Sequence, residues 1–164
     1  MIPPYFHPHS DVLEEQIVEY ADWSIRQFMQ AAEKQPWFDN TIFVFLGDHG
    51  KMVGTPECEM PQSYNHIPLM IYGKDIKPGV YDGFGGQVDV SPTLLGLLNI
   101  SYLQNNFGVN LLEEERPCMF FTADNLIGAR DSVNMFIYSP DSQQEFKYKL
   151  EEGKLHACLL YTSD

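Results

Sequence analysis

Positive charge is scarce in this chain of 164 residues: 10 Lys and Arg stand against 23 Asp and Glu, for a net charge of −13. So acidic a surface argues against nucleic acid and against an anionic membrane surface as partners. Most of that charge is solvated surface, although it also suits cation binding. Cysteine is scarce as well. Cys58, Cys118 and Cys158 show no Cys-x-x-Cys spacing, which argues against a zinc cluster or a disulfide framework and leaves one bridge, such as Cys58–Cys118, open. No apolar run reaches the roughly 18 residues of a membrane span, and no signal-peptide pattern is present. Internal repeats and domain linkers are absent too. What remains is 44% hydrophobic and 13% aromatic, the composition of one globular domain with a real core.

The stretch that organises the chain is 41–50, Thr-Ile-Phe-Val-Phe-Leu-Gly-Asp-His-Gly. Its short unbroken apolar run predicts a strand buried on both faces, as in a parallel sheet covered by helices. Gly47 ends the run, and Asp48 and His49 follow side by side before Gly50. Ligands bind at the carboxyl ends of strands in open α/β sheets. A carboxylate and an imidazole placed there can reach one cation, the first supplying charge and the second a neutral nitrogen. The alternative is an ordinary turn, since Gly-Asp and His-Gly are common loop dipeptides.

The segments around this stretch narrow the reading. Upstream stands Trp-Phe-Asp-Asn at 37–40; downstream stand Asn-His-Ile-Pro-Leu-Met-Ile-Tyr-Gly at 65–73 and Gln-Val-Asp-Val-Ser-Pro-Thr-Leu-Leu at 87–95. In this order and spacing they resemble the sulfatase-like branch of the alkaline phosphatase superfamily, most of all the lipoteichoic acid synthase and phosphoglycerol transferase group. The resemblance runs from Pro3 to Leu150. It implies an α/β fold, the alkaline phosphatase-like layered α/β/α sheet, incomplete here and corresponding to the C-terminal portion of the domain. It also implies metal-dependent transfer or hydrolysis of a phosphate or sulfate ester, some of these lipid- or glycan-linked. Asp48 and His49 match the family's pair of metal ligands after the central strand; the cation would be manganese, zinc or calcium. The remaining ligands and the nucleophile lie upstream of this chain, so the piece alone is expected to be inactive. A sulfuric ester hydrolase and a non-catalytic binding relative are the alternatives. Relatives in this group carry membrane helices ahead of an extracytoplasmic catalytic domain, so the parent is expected to be membrane-anchored through an upstream segment, with this chain alone soluble. The family's substrate histidine, in a His-x-Pro-Tyr motif, falls at Ile2, a departure. His7 and His9 match no motif and read as loop residues. His66 could contact the substrate anion at the mouth of the site, or serve as a structural histidine bonded to a loop carbonyl.

The rest of the chain falls into elements around that centre. Asp11 and Glu14 predict a capping pair, and 12–34 an amphipathic helix stopped by Gln35-Pro36. Asp22, in the helix, reads as a surface residue. Residues 41–46 and 67–72 predict neighbouring strands, with an irregular loop over 51–64. Residues 87–90 read as extended, and Ser91-Pro92 as a helix start leading to about Leu98. Asp89 reads as fold-forming, holding a nearby loop. Strands are predicted over 118–122, 133–138 and 145–150. Residues 1–156 form the family-like region; 157–164 carry no family pattern and are expected to be a non-native tail.

Overall fold

The computed structural model of the chain describes residues 2–52, 55–151 and, as backbone, 154–157. The chain divides into two compact units, one of Met1–Phe45 with Leu69–Lys77, the other of Leu46–Pro68 with Pro78–Asp164.

The first unit is built on α1, Leu13–Ala32, where a helix was predicted. Val12 at its start has no side chain able to cap, and Ser10 takes that part. The Ser10 hydroxyl donates to Glu15 and accepts from the Val12 N–H at 3.1 Å, while Gln16 Nε2 donates to the Ser10 carbonyl at 2.9 Å. Glu19 reaches back to accept from the N–H groups of His9 (2.7 Å) and Ser10 (3.1 Å). Ser10 and Glu15 form a capping pair here, since a hydroxyl can accept and donate at once. Tyr20 and Trp23 of α1 stack at 5.9 Å and hold Tyr5 and Phe6 at centroid distances of 5.3–6.0 Å, which ties the entering loop to the helix. Asp22 pairs with Arg26 one turn on, both exposed, as a surface residue should.

In the same unit β1 (Phe43–Leu46) pairs with β2 (Leu69–Tyr72). Both were expected, and expected as neighbours. Phe43 is buried, with the rings of Phe28, Trp37, Phe38 and Tyr72 around it at 5.3–6.3 Å. Aromatic pairs of this geometry contribute about 0.5–1.5 kcal/mol each beyond the area they bury. Burial on both faces does not occur: Leu46, Leu69, Met70 and Tyr72 are exposed, as are Leu13, Ile17, Ile25 and Phe28 of α1. Each of the two strands has one partner, and what else this unit supplies covers Phe43 but not these side chains.

The second unit contains α2 (Gln62–Asn65), α3 (Gln87–Leu97) and an antiparallel meander of β3 (Met119–Ala123), β4 (Leu126–Arg130), β5 (Asn134–Ser139), β6 (Gln144–Glu151) and β7 (Lys154–Ala157). Arg130 faces Met135 and Met135 faces Tyr148 across the ladder. Period-2 alternation places Met135, Ile137 and Tyr148 on one face, where they pack with Cys58 and Met60 to form the core. Strand β4 was missed because Leu-Ile-Gly-Ala-Arg is a weak strand sequence. Its Gly128 packs against Phe121: a Cβ there would lie 2.4 Å from the ring, which would have to shift. Asp124 and Asn125, at φ 48° and 62°, make the two-residue turn between β3 and β4. Cys58 and Cys118 are both free thiols, so the bridge left open by the sequence is not formed; burial pushes the Cys58 thiol up. Ala157 is the last residue of β7 and pairs with Tyr148; residues 158–164 of the expected tail lie outside the described residues.

Helix α3 begins four residues ahead of Ser91, and residues 87–90 are helical rather than extended. The cause is Asp89. Its Oδ2 accepts from the Gly86 N–H at 2.8 Å while its own N–H donates to the Gly86 carbonyl at 2.9 Å, closing a capping box one turn early. Pro92 then sits inside the helix, where its missing N–H frees the Val88 carbonyl; Gly108 packs so close that a Cβ would lie 2.0 Å from that oxygen. Asp89 is 0% exposed. Besides Gly86 it accepts from Val109 N (2.8 Å), Arg116 Nε (2.7 Å) and Arg116 Nη2 (2.5 Å). Burial alone would push its carboxyl up, but Arg116 and the two backbone N–H groups outweigh burial and hold it below the ordinary range. Because the folded state favours the ionised form, this contribution is complete above the unfolded carboxylate value, about 3.9, and is lost as pH falls through the lower folded value. Asp89→Ala strands Arg116 and two N–H groups and is expected to destabilise the chain by about 3–5 kcal/mol in urea unfolding at pH 7; a loss under 1 kcal/mol would contradict the account.

Candidate metal centre

After β1 the chain turns sharply through Gly47–Asp48–His49–Gly50, and nearly every polar backbone group of the turn has a partner. Gly47 N–H donates to the Pro68 carbonyl at 3.3 Å and Gly50 N–H to the Tyr64 carbonyl at 2.8 Å. The Gly47 and Asp48 carbonyls both accept from Gln87 Nε2, at 3.2 and 2.9 Å. His49 N–H donates to Asp48 Oδ1 at 2.9 Å. So full an accounting is what holds a loop in one geometry.

The imidazole is fixed in the same way. A carbonyl only accepts, so the 2.7 Å contact between His49 Nδ1 and the Gly50 oxygen places the proton on Nδ1. In the neutral ring Nε2 is then the nitrogen with the free lone pair, and it lies 3.8 Å from Asp48 Oδ2. The ring stacks on Tyr64 at 5.1 Å. Asp48 and His49 remain open to solvent, with 90% and 57% of their side-chain surface exposed. The bond from the His49 N–H, and then the other local donors and the imidazole, hold the Asp48 carboxyl below its ordinary range, so it is an anion at neutral pH. A cavity of about 350 Å³ opens beside His49, with Tyr64, Asn65, Glu59 and Asp124 among its lining.

The structure thus brings Asp48 and His49 together. His66 follows α2: its N–H donates to the Gln62 carbonyl at 2.8 Å, and its side chain is exposed and outside the lining of that cavity. Among the described residues no group of three His, Cys, Asp or Glu side chains is placed to hold a metal ion. Sequence reasoning missed Gln87, because 87–90 read as a strand; a polar residue just ahead of Val-Asp-Val was the only signal. Tyr64 gave no signal.

The chain resembles known proteins in sequence and in fold. The sulfatase family's sequence profile matches residues 15–100, more than half of the chain. The chain belongs to the sulfatase family. Among curated relatives of this family member, lipoteichoic acid synthase 1 of Bacillus subtilis is 28% identical over 155 residues, covering 85% of this chain and 24% of that protein. Choline-sulfatase of Rhizobium meliloti is 30% identical over 104 residues, covering 61% of this chain and 18% of that protein. The chain therefore spans a quarter or less of the length of these relatives. A Vibrio parahaemolyticus protein of the alkaline phosphatase superfamily, of known crystal structure, superposes over 96% of this chain and 41% of its own at a TM-score of 0.78 and 23% identity. The fold is that of the alkaline phosphatase superfamily, as the order of motifs implied.

Gly50 gives the sharpest test of the turn. A Cβ on Gly50 would lie 2.0 Å from the Ser63 carbonyl oxygen, whereas one on Gly47 would meet nothing nearer than the Ile67 side chain at 3.4 Å. Gly50→Ala is expected to cost about 1–3 kcal/mol in urea unfolding and Gly47→Ala under 1 kcal/mol. Equal effects would show that close approach is not what Gly50 provides.

Proposed function

We propose that this chain is the C-terminal part of the catalytic domain of a metal-dependent enzyme that transfers or hydrolyses phosphate or sulfate esters, with Asp48 and His49 supplying two ligands to one divalent cation. The observation that carries this reading is the placement of a carboxylate oxygen 3.8 Å from Nε2 of an imidazole whose Nδ1 bonds the Gly50 carbonyl. That separation is less than twice the ~2.1 Å of a zinc–nitrogen or zinc–oxygen bond, so one ion can touch both atoms. The Gly50 carbonyl then plays the part that outer-shell acceptors play for ligating histidines, fixing the tautomer and raising the basicity of the free nitrogen. The donor set, one oxygen and one nitrogen, suits manganese or zinc, and calcium through the carboxylate. Two ligands do not complete a coordination sphere, and the others are assigned to sequence ahead of this chain, together with the nucleophile.

Once bound, such an ion acts as a Lewis acid on the ester oxygen and lowers the pKa of a coordinated nucleophile. The chain's own contribution is to hold Oδ2 and Nε2 on a turn whose backbone is bonded on both sides, which favours a preorganised site over one assembled by the ligand.

Within this class we favour phosphoglycerol transfer of the lipoteichoic acid synthase kind. Support comes from the coverage: the match to lipoteichoic acid synthase 1 takes in 85% of the chain, against 61% for choline-sulfatase. The substrates would be phosphate esters, lipid- or glycan-linked, and the parent an enzyme of the cell envelope anchored through an upstream segment. Among the described residues no helix is long and apolar enough to cross a membrane. Hydrolysis of a sulfate ester is the second reading, favoured by the sulfatase profile itself.

Calorimetry of the full-length protein with Mn²⁺ tests the proposal. Asp48→Asn and His49→Ala are each expected to weaken binding at least about tenfold and to abolish turnover, with the fold retained because both side chains are exposed. Unchanged affinity in Asp48→Asn would leave these residues as an ordinary turn.

A further inference from the structure

Gln87 opens the 87–95 segment that carries the resemblance, but no site role attaches to it there, and its backbone begins α3. Its side chain does something else. Nε2 reaches across 39 and 40 residues of sequence to the carbonyls of Asp48 and Gly47. An amide NH₂ has two hydrogens, so it can satisfy two carbonyls at once, and these are consecutive carbonyls of the turn that presents Asp48 and His49.

Where Gln87 can reach is itself determined. It is the first residue of α3, next to Gly86, whose N–H is held by the buried Asp89 carboxylate at 2.8 Å. Asp89 is in turn fixed by Arg116 and by the Val109 N–H. A flexible side chain thus starts from one of the most constrained backbone positions of its unit. The opposite side of the turn is held by Tyr64 and Pro68, through Gly50 and Gly47. Gln87 supplies the remaining restraint, on the two carbonyls that precede His49.

We infer that Gln87 is a positioning residue for the metal centre: it fixes the Gly47–Asp48 peptides and thereby the separation of Asp48 Oδ2 from His49 Nε2. The inference rests on the proposed roles of those two residues. Gln87 touches neither the ion nor the reacting atoms. It orients the backbone that carries the ligands, as outer-shell partners orient ligands directly, and changes to such partners typically cost 10–100-fold in metal affinity.

The discriminating experiment uses the full-length protein and two near-isosteric variants. Gln87→Met keeps the volume and removes both donors. Gln87→Glu keeps the shape and sets a carboxylate against two carbonyls. Mn²⁺ affinity is measured by calorimetry and apo stability by thermal melting, with Asp48→Asn as the reference. Both Gln87 variants are expected to weaken Mn²⁺ binding roughly tenfold, with Gln87→Glu at least as weak as Gln87→Met, while the apo melting temperature stays within about 2 °C of wild type. A merely structural role would lower the melting temperature and spare the affinity. If Asp48→Asn weakens binding and both Gln87 variants bind within twofold of wild type, Gln87 has no positioning role and the metal reading stands. If Asp48→Asn itself binds as wild type, the metal reading falls and this inference with it.

Discussion

The buried ion pair of Asp89 and Arg116 is the constraint on which the second unit depends. A carboxylate taken out of water costs several kcal/mol unless its oxygens are met, and here four donors meet them, two from one guanidinium and two from the backbone. Those donors come from three stretches of chain: Gly86 at the start of α3, Val109, and Arg116. The pair therefore fixes where α3 begins, how the loop carrying Phe107 and Val109 returns, and where Gln87 stands relative to the turn after β1. Removing the charge would not simply loosen one contact; it would leave Arg116 and two N–H groups without their shared partner.

The site is organised by a different economy of protons. His49 Nδ1–H donates to the Gly50 carbonyl, and Asp48 Oδ1 accepts from the His49 N–H. Each residue thus turns one polar atom toward the backbone and leaves the other facing outward. Both remain exposed, so their orientation comes from these local bonds and from the Tyr64 ring rather than from burial. In a chain of net charge −13 an exposed carboxylate is unremarkable by itself. What distinguishes Asp48 is the lone pair placed beside it.

Much of this was legible in the sequence. The apolar run of 41–46 and the glycine that ends it announced β1 and the turn, because period and punctuation there point the same way. Helix α1 followed from its spacing and from Pro36. The start of α3 was misread because Val-Asp-Val alternates like a strand and Ser-Pro resembles a helix start; the winning interaction, an Asp89 side chain bonded to Gly86, depends on Arg116, 27 residues away. Strand β4 was invisible because its fitness lies in a missing side chain, Gly128, against Phe121. The burial of β1 and β2 was overestimated for a related reason. An apolar run reports what a strand can cover, not how many strands lie beside it, and here Phe43 is buried while Leu46, Leu69 and Met70 are open.

The pairing of Asp48 with His49 as ligands remains the central claim, and anomalous diffraction from crystals of the full-length protein grown with Mn²⁺ addresses it most directly. The account predicts a peak at bonding distance, about 2 Å, from both Asp48 Oδ2 and His49 Nε2, with the His49 Nδ1 bond to the Gly50 carbonyl intact. A manganese peak elsewhere in the molecule, with Asp48 and His49 in contact with solvent alone, would contradict it.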